Sequence, residues 1–178
     1  KTDFEVKLLN MMRAKLGLQN EDETDQKFIS ELEDILHLTE TDMTIFFRNL
    51  SNFKKNEPSA GLQVIQEAFY KPDEIVGNIK NRWNTWFENY AHKLKKETLS
   101  NEERRKKVNA VNPIYVLRNY MAQLAIDDAD KGDYKLIDEL FQMLKKPYDE
   151  QPEHQKWFAK RPDWARHKVG CSMISCSS

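Results

Sequence analysis

Apolar residues recur at intervals of three and four along nearly the whole chain, the period of an α-helix with one face turned to a core. A first helix is predicted over about 3–16. Thr2 and Glu5 there have the spacing of a capping box, and Gly17 stands where a left-handed stop is wanted. A second covers about 25–37, with Phe28, Ile29, Leu32, Ile35 and Leu36 as its stripe. A third starts near Asp42 and sets Met43, Phe46, Phe47, Leu50 and Phe53 on one face. The stretch "KKNEPSAG", 54–61, reads as a loop, and a short helix over about 62–70 ends before Pro72. The longest periodic run is about 73–96, where Ile75, Ile79, Trp83, Trp86, Phe87, Tyr90 and Leu94 make a broad aromatic face.

Ser100 and Glu103 form a second capping box ahead of "RRKKVNAV". Asn112-Pro113 reads as a helix restart, an N-cap followed by proline at the first helical position. The helix expected beyond it carries Ile114, Leu117, Met121 and Leu124, widened by Tyr115, Val116 and Tyr120, and Gly132 ends it. Asp133 caps a last helix with Leu136, Ile137, Leu140, Phe141 and Leu144. Beyond Pro147, three prolines and Tyr148, Trp157, Phe158 and Trp164 describe an extended arm pinned by its aromatics, with a helical turn near 153–159. After Trp164 the tail is expected to be loose. No strand pattern is present. The predicted fold class is all-α: an irregular bundle of seven to eight helices over 1–146, with a Pro/aromatic arm and Cys-bearing tail over 147–178 in the same domain.

Composition narrows the function. A net charge of −1 lacks the basic excess of a dedicated nucleic-acid binder. No apolar run approaches the length of a membrane span. The five glycines are widely scattered, so the chain cannot build a glycine-rich phosphate cradle. The start, "KTDFEVKLLNMMRAKL", lacks both a signal-peptide core and an initiator methionine, as expected of a fragment.

Candidate chemistry is sparse. His37, His92, His154 and His167 are single, without the i+3 or i+4 partner of a helical zinc site. "DDADKGD", 127–133, fails as a calcium loop in both registers. Starting at Asp127 puts Ala129 and Lys131 at ligand positions, and starting at Asp128 loses the required glycine. "ERRKK", 103–107, reads as a solvated helix face. Arg118 is the one charge within a very apolar stretch: a structural arginine satisfying buried acceptors, or an anion contact. The two cysteines, Cys171 and Cys176, both fall in the last eight residues. An exposed thiol on a short leash near a terminus is well placed for thiol–disulfide exchange, through access rather than through an activated thiolate.

Three segments, "NAVNPIYVLRNYMAQLAI" (109–126), "KGDYKLIDELFQMLKKPYDEQPE" (131–153) and "RPDWA...CSS" (161–178), together with "MRAKLGL" (12–18) and "DMTIFFRNLS" (42–51), resemble the C-terminal part of the selenoprotein O family. The resemblance implies a longer protein with a kinase-like domain ahead of this region. Such a protein binds ATP and Mg²⁺ and transfers AMP to Ser, Thr or Tyr hydroxyls of protein substrates. It implies cytoplasmic localisation in a bacterium and mitochondrial localisation in a eukaryote. It carries over one residue, Cys176, which occupies the position of a selenocysteine or cysteine able to pair with a cysteine of the kinase-like part. Cys171 and Arg118 receive no role from it, and a Cys171–Cys176 bridge stays open. No catalytic residue, cofactor or metal ligand of the family maps onto this chain.

The expected function is therefore the non-catalytic helical portion of a protein adenylyltransferase. Its partners would be the kinase-like domain of the same protein and, for the whole enzyme, protein substrates, with neither nucleic acid nor membrane. The competing reading is a stand-alone helical interaction module with an inert tail.

Overall fold

The structure, a computed structural model, describes residues 2–168 and Cys171. Among them are eight α-helices and five short 3-10 segments, with no strand beyond one isolated bridge between Thr41 and Phe69. The chain divides into two compact units at the Asn112–Pro113 bond.

The first unit holds α1 (Asp3–Leu16), α2 (Asp25–Leu36), α3 (Met43–Leu50), α4 (Gly61–Ile65), α5 (Gly77–Lys95) and α6 (Asn101–Val111). Local chemistry sets several of the ends. Thr2 and Glu5 satisfy each other's backbone N–H groups, and so do Ser100 and Glu103. Asp42 accepts from the Ile45 N–H at 3.0 Å. Gly17 closes α1 at φ 71, and a Cβ there would collide with the side chains of Val108 and Arg104. The core is aromatic. Trp83, Trp86, Phe87 and Tyr90 of α5 meet Phe28, Phe46, Phe53 and Phe69, with Phe28 stacked on Trp86 at 4.9 Å and Phe53 on Tyr90 at 5.0 Å. Each such pair adds about 1 kcal/mol to what burial alone contributes. Two of the three aromatic polar tips on α5 are bonded: the Trp86 Nε1–H donates to the Phe28 carbonyl, and the Tyr90 hydroxyl to the Leu16 carbonyl; the buried Trp83 Nε1–H has no partner among the described residues.

The second unit is built from α7 (Asn119–Ala129), α8 (Lys135–Leu144) and two 3-10 segments, Pro152–Trp157 and Asp163–Arg166. Its core joins Ile114, Tyr115, Tyr120, Met121 and Ala125 to Leu140, Met143, Ala165 and Cys171. The helix expected to restart at Pro113 does not; α7 begins at Asn119. The Ile114 and Tyr115 N–H groups both donate to the Pro147 carbonyl, at 2.8 and 3.1 Å, and the Tyr115 hydroxyl donates to the Gln151 carbonyl at 2.9 Å. A strap so bonded buries Ile114 and Tyr115 without becoming helical. Asn112 is not an N-cap either. It ends α6, and its amide donates to the Lys15 and Val108 carbonyls. α5 likewise starts later than its apolar period: Pro72–Glu74 forms its own 3-10 turn, which leaves Ile75 outside the helix.

Candidate functional site

The C-terminal arm is fastened to the second unit residue by residue. Trp164 sits edge-on to Tyr120, with centroids 6.2 Å apart, and Ala165 is fully buried. The Lys168 ammonium bonds the Asp127 carboxylate and lies 5.8 Å from the Trp164 ring centroid. Asp127 also accepts from the Gln123 amide at 2.8 Å. The Lys168 bond first, and the Gln123 bond second, hold the Asp127 carboxyl below the usual carboxylate range. The next described residue is Cys171, whose N–H donates to the Lys168 carbonyl at 3.1 Å.

Cys171 is not the exposed thiol the sequence suggested; beyond Lys168, the rest of the tail expected to be loose lies outside the described residues. Its side chain is buried, 4% exposed, among the apolar residues of the second core. Small and apolar enough to pack, it behaves as a core residue, and a thiol in such surroundings is shielded from solution reagents. Cys176 lies outside the described residues. Arg118 is half-buried and stands immediately ahead of α7, where its carbonyl accepts from Met121 and Ala122. It is therefore at the mouth of the helix rather than within its apolar body.

The remaining candidates resolve into structural roles. The His37 ring bonds the Glu33 carbonyl of its own helix. His154 lies 3.6 Å from Glu139, whose carboxylate also takes the Trp157 indole N–H and the Lys156 ammonium, each at 2.8 Å. Partial burial raises the Glu139 pKa, but the two bonds outweigh it, and the net shift is downward. In the acidic run, Asp128 pairs with Lys131, Asp133 accepts from the Lys135 N–H, and Gly132 turns the chain at φ 83. The basic run is not all solvated face. Arg104 is 3% exposed and donates to the Tyr90 hydroxyl at 3.3 Å and to the Ser51 and Phe53 carbonyls.

Sequence reasoning missed that arginine. It also missed a buried ion cluster in which Asp25 takes Arg13 at 3.1 Å and Lys93 at 2.8 Å. The one available signal was spacing: Arg104 stands four residues before Val108 on the inward line of α6. A further missed feature is an open groove of about 680 Å³ on the first unit, bordered by Pro58, Leu62, Gln66, Phe69, Ile75 and Asn84.

The neighbourhoods of Gly17 and Gly61 are filled by side chains of Val108, Arg104 and Phe87, so neither glycine leaves space for a phosphate. Among the described residues no three His, Cys, Asp or Glu side chains are grouped to hold a metal ion. Nor is any of their helices long and apolar enough to cross a membrane.

Comparison with known proteins supplies what this geometry does not. The family model described as protein adenylyltransferase SelO matches residues 1–145. The chain is 59% identical over 177 residues to the protein nucleotidyltransferase YdiU of Flavobacterium johnsoniae, covering 99% of this chain and 34% of that protein. Proteins of the same name from Rhodopirellula baltica and Aromatoleum aromaticum are 43% and 41% identical, over 99% and 98% of this chain and 35% and 33% of theirs. The chain thus spans about a third of the length of the curated relatives it matches.

Proposed function

Because this chain belongs to the SelO family of protein adenylyltransferases, we propose that it is the C-terminal, non-catalytic helical part of such an enzyme. The observation that carries the reading is the pair of coverages: nearly all of this chain aligns at 59% identity, to only 34% of the relative. In the whole protein a kinase-like domain would bind ATP with Mg²⁺ and transfer AMP to a Ser, Thr or Tyr hydroxyl of a protein substrate, releasing pyrophosphate. The helices described here would buttress that domain.

Cys176 would add redox control. Its thiolate attacks a disulfide formed in the kinase-like part, or a small disulfide oxidant first. One S–S bond forms as another breaks, and a thiolate leaves. A loop-closing disulfide of that kind contributes about 2–4 kcal/mol, which shifts a two-state element more than tenfold. The burial of Cys171 favours Cys176 as the exchanging thiol.

Two measurements test the reading. The full-length reading frame, incubated with ATP labelled on its α-phosphate, Mg²⁺ and candidate proteins, should transfer label to protein hydroxyls; no transfer, including to itself, counts against the activity. Mass mapping of the non-reduced full-length protein should find Cys176 linked after oxidation, and a free Cys176 under oxidants removes the switch.

A further inference from the structure

Only the second half of α1 is packed. Met12, Arg13 and Leu16 are buried, whereas Phe4, Val6, Leu8 and Met11 are 72%, 41%, 40% and 50% exposed. Phe4, Leu8 and Met11 are four and three residues apart, so they form one line along the helix; at Leu8 it borders the buried row that continues through Met12 and Leu16. A surface helix ordinarily turns charge outward along such a line. None of these three positions is charged; the exposed Asp3–Lys7 pair, at 2.6 Å, flanks the line, and Glu5 is spent on the cap at Thr2. A 14-residue helix is marginal without tertiary contact, yet the first three turns of α1 offer these three large apolar side chains, which nothing covers among the described residues. Single exposed apolar residues are ordinary, but a contiguous line of them marks an interaction surface.

We infer that the Phe4–Leu8–Met11 line of α1 is a docking surface for the portion of the full-length polypeptide that this chain does not include. The inference rests on the proposed reading of the chain as part of a longer adenylyltransferase. Two observations select this occupant. The family match runs through α1, which makes the helix an element of the SelO protein itself. And about two thirds of the length of each relative lies outside the aligned region, ample chain to supply a complementary groove. The geometry asks for an apolar groove that receives three side chains at i, i+4 and i+7, the helix-in-groove mode of recognition.

The test is hydroxyl-radical footprinting, read residue by residue by mass spectrometry, on the full-length protein and on the 178-residue chain. Met11 and Phe4 should react about fivefold more slowly in the full-length protein, the ratio expected when a half-exposed side chain becomes buried. Met12 and Met121, at 7% and 0% exposure, gauge the fold and should stay protected in both. Equal rates at Met11 in the two proteins overturn the inference. So does a Met12 as reactive as Met11 in the 178-residue chain, since α1 is then not held by its inner line. Protection of Met11 that grows with the concentration of the 178-residue chain assigns the line to a second copy and also overturns it. A full-length protein that transfers AMP while Met11 stays open sinks the docking surface and leaves the proposed activity standing.

Discussion

At the scale of single residues, the chain spends its buried charges on holding backbone. Arg104 reaches two carbonyls and a hydroxyl from inside the first unit. Truncating it strands those acceptors in a dry core, where charged hydrogen bonds count most. Arg104→Ala should therefore lower unfolding stability by about 3 kcal/mol in urea titrations, while Arg105→Ala on the exposed side stays within about 0.5 kcal/mol of the parent. Similar losses for the two would refute the buried role. Cys171 makes a second residue-scale claim. Iodoacetamide should leave it unmodified in the native chain and modify it once denaturant is added, so rapid native alkylation would contradict its place in the core. Neither residue was legible in sequence. Arg104 sits in a run of four basic residues and looks like its solvated neighbours; Cys171 sits among serines and glycine, and only the core it shares with Ala165 and Met121 makes it a packing residue.

At the scale of elements, the sequence disclosed helices where stripe and cap agree. The capping boxes of α1 and α6, the glycine stop of α1, the Asp42 cap and the aromatic face of α5 all appear where spacing put them. Asp42→Ala should cost about 1–2 kcal/mol through the loss of the α3 cap, measured by thermal or urea unfolding; no change would mean that α3 is held by packing alone. Sequence misled where a distant partner decides the backbone. The Pro147 carbonyl, about thirty residues on, claims the N–H groups of Ile114 and Tyr115 and replaces a predicted helix by a strap. Along α8, the apolar period also covers Ile137 and Phe141, which stay exposed while Leu140 and Met143 turn inward. The arm is held partly by charge, which gives a pH dependence. The depressed folded-state pKa of Asp127 means that its pairing with Lys168 stabilises above the ordinary value of 3.8 and is lost as pH falls through the lower folded value. Carbon-detected NMR should place the Asp127 midpoint below 3.8, and Lys168→Ala should move it up towards that value; an unshifted midpoint in the parent would contradict the pairing.

At the scale of the whole molecule, the all-α class followed from a helical period sustained along the chain, and the long strings 109–126 and 131–153 led to the SelO family that the comparisons establish. Beyond the two cysteines and Arg118, little site chemistry was legible in the sequence. Among the described residues many polar groups close helices, bond carbonyls and pair with one another, and no three His, Cys, Asp or Glu side chains are grouped to hold a metal ion. The open groove beside α4 escaped notice because residues from 58 to 88 make it and leave no periodic trace; the line on α1 is periodic, but the period does not say which apolar positions of a helix stay uncovered. The central claim is that nucleotide chemistry belongs to the part of the enzyme outside this chain. Calorimetric titration of Mg²⁺–ATP into the full-length protein and into the 178-residue chain, in one buffer, tests it most directly. Saturable binding by the full-length protein and a flat trace from the shorter chain is the result predicted; saturable binding by the 178-residue chain alone would contradict it.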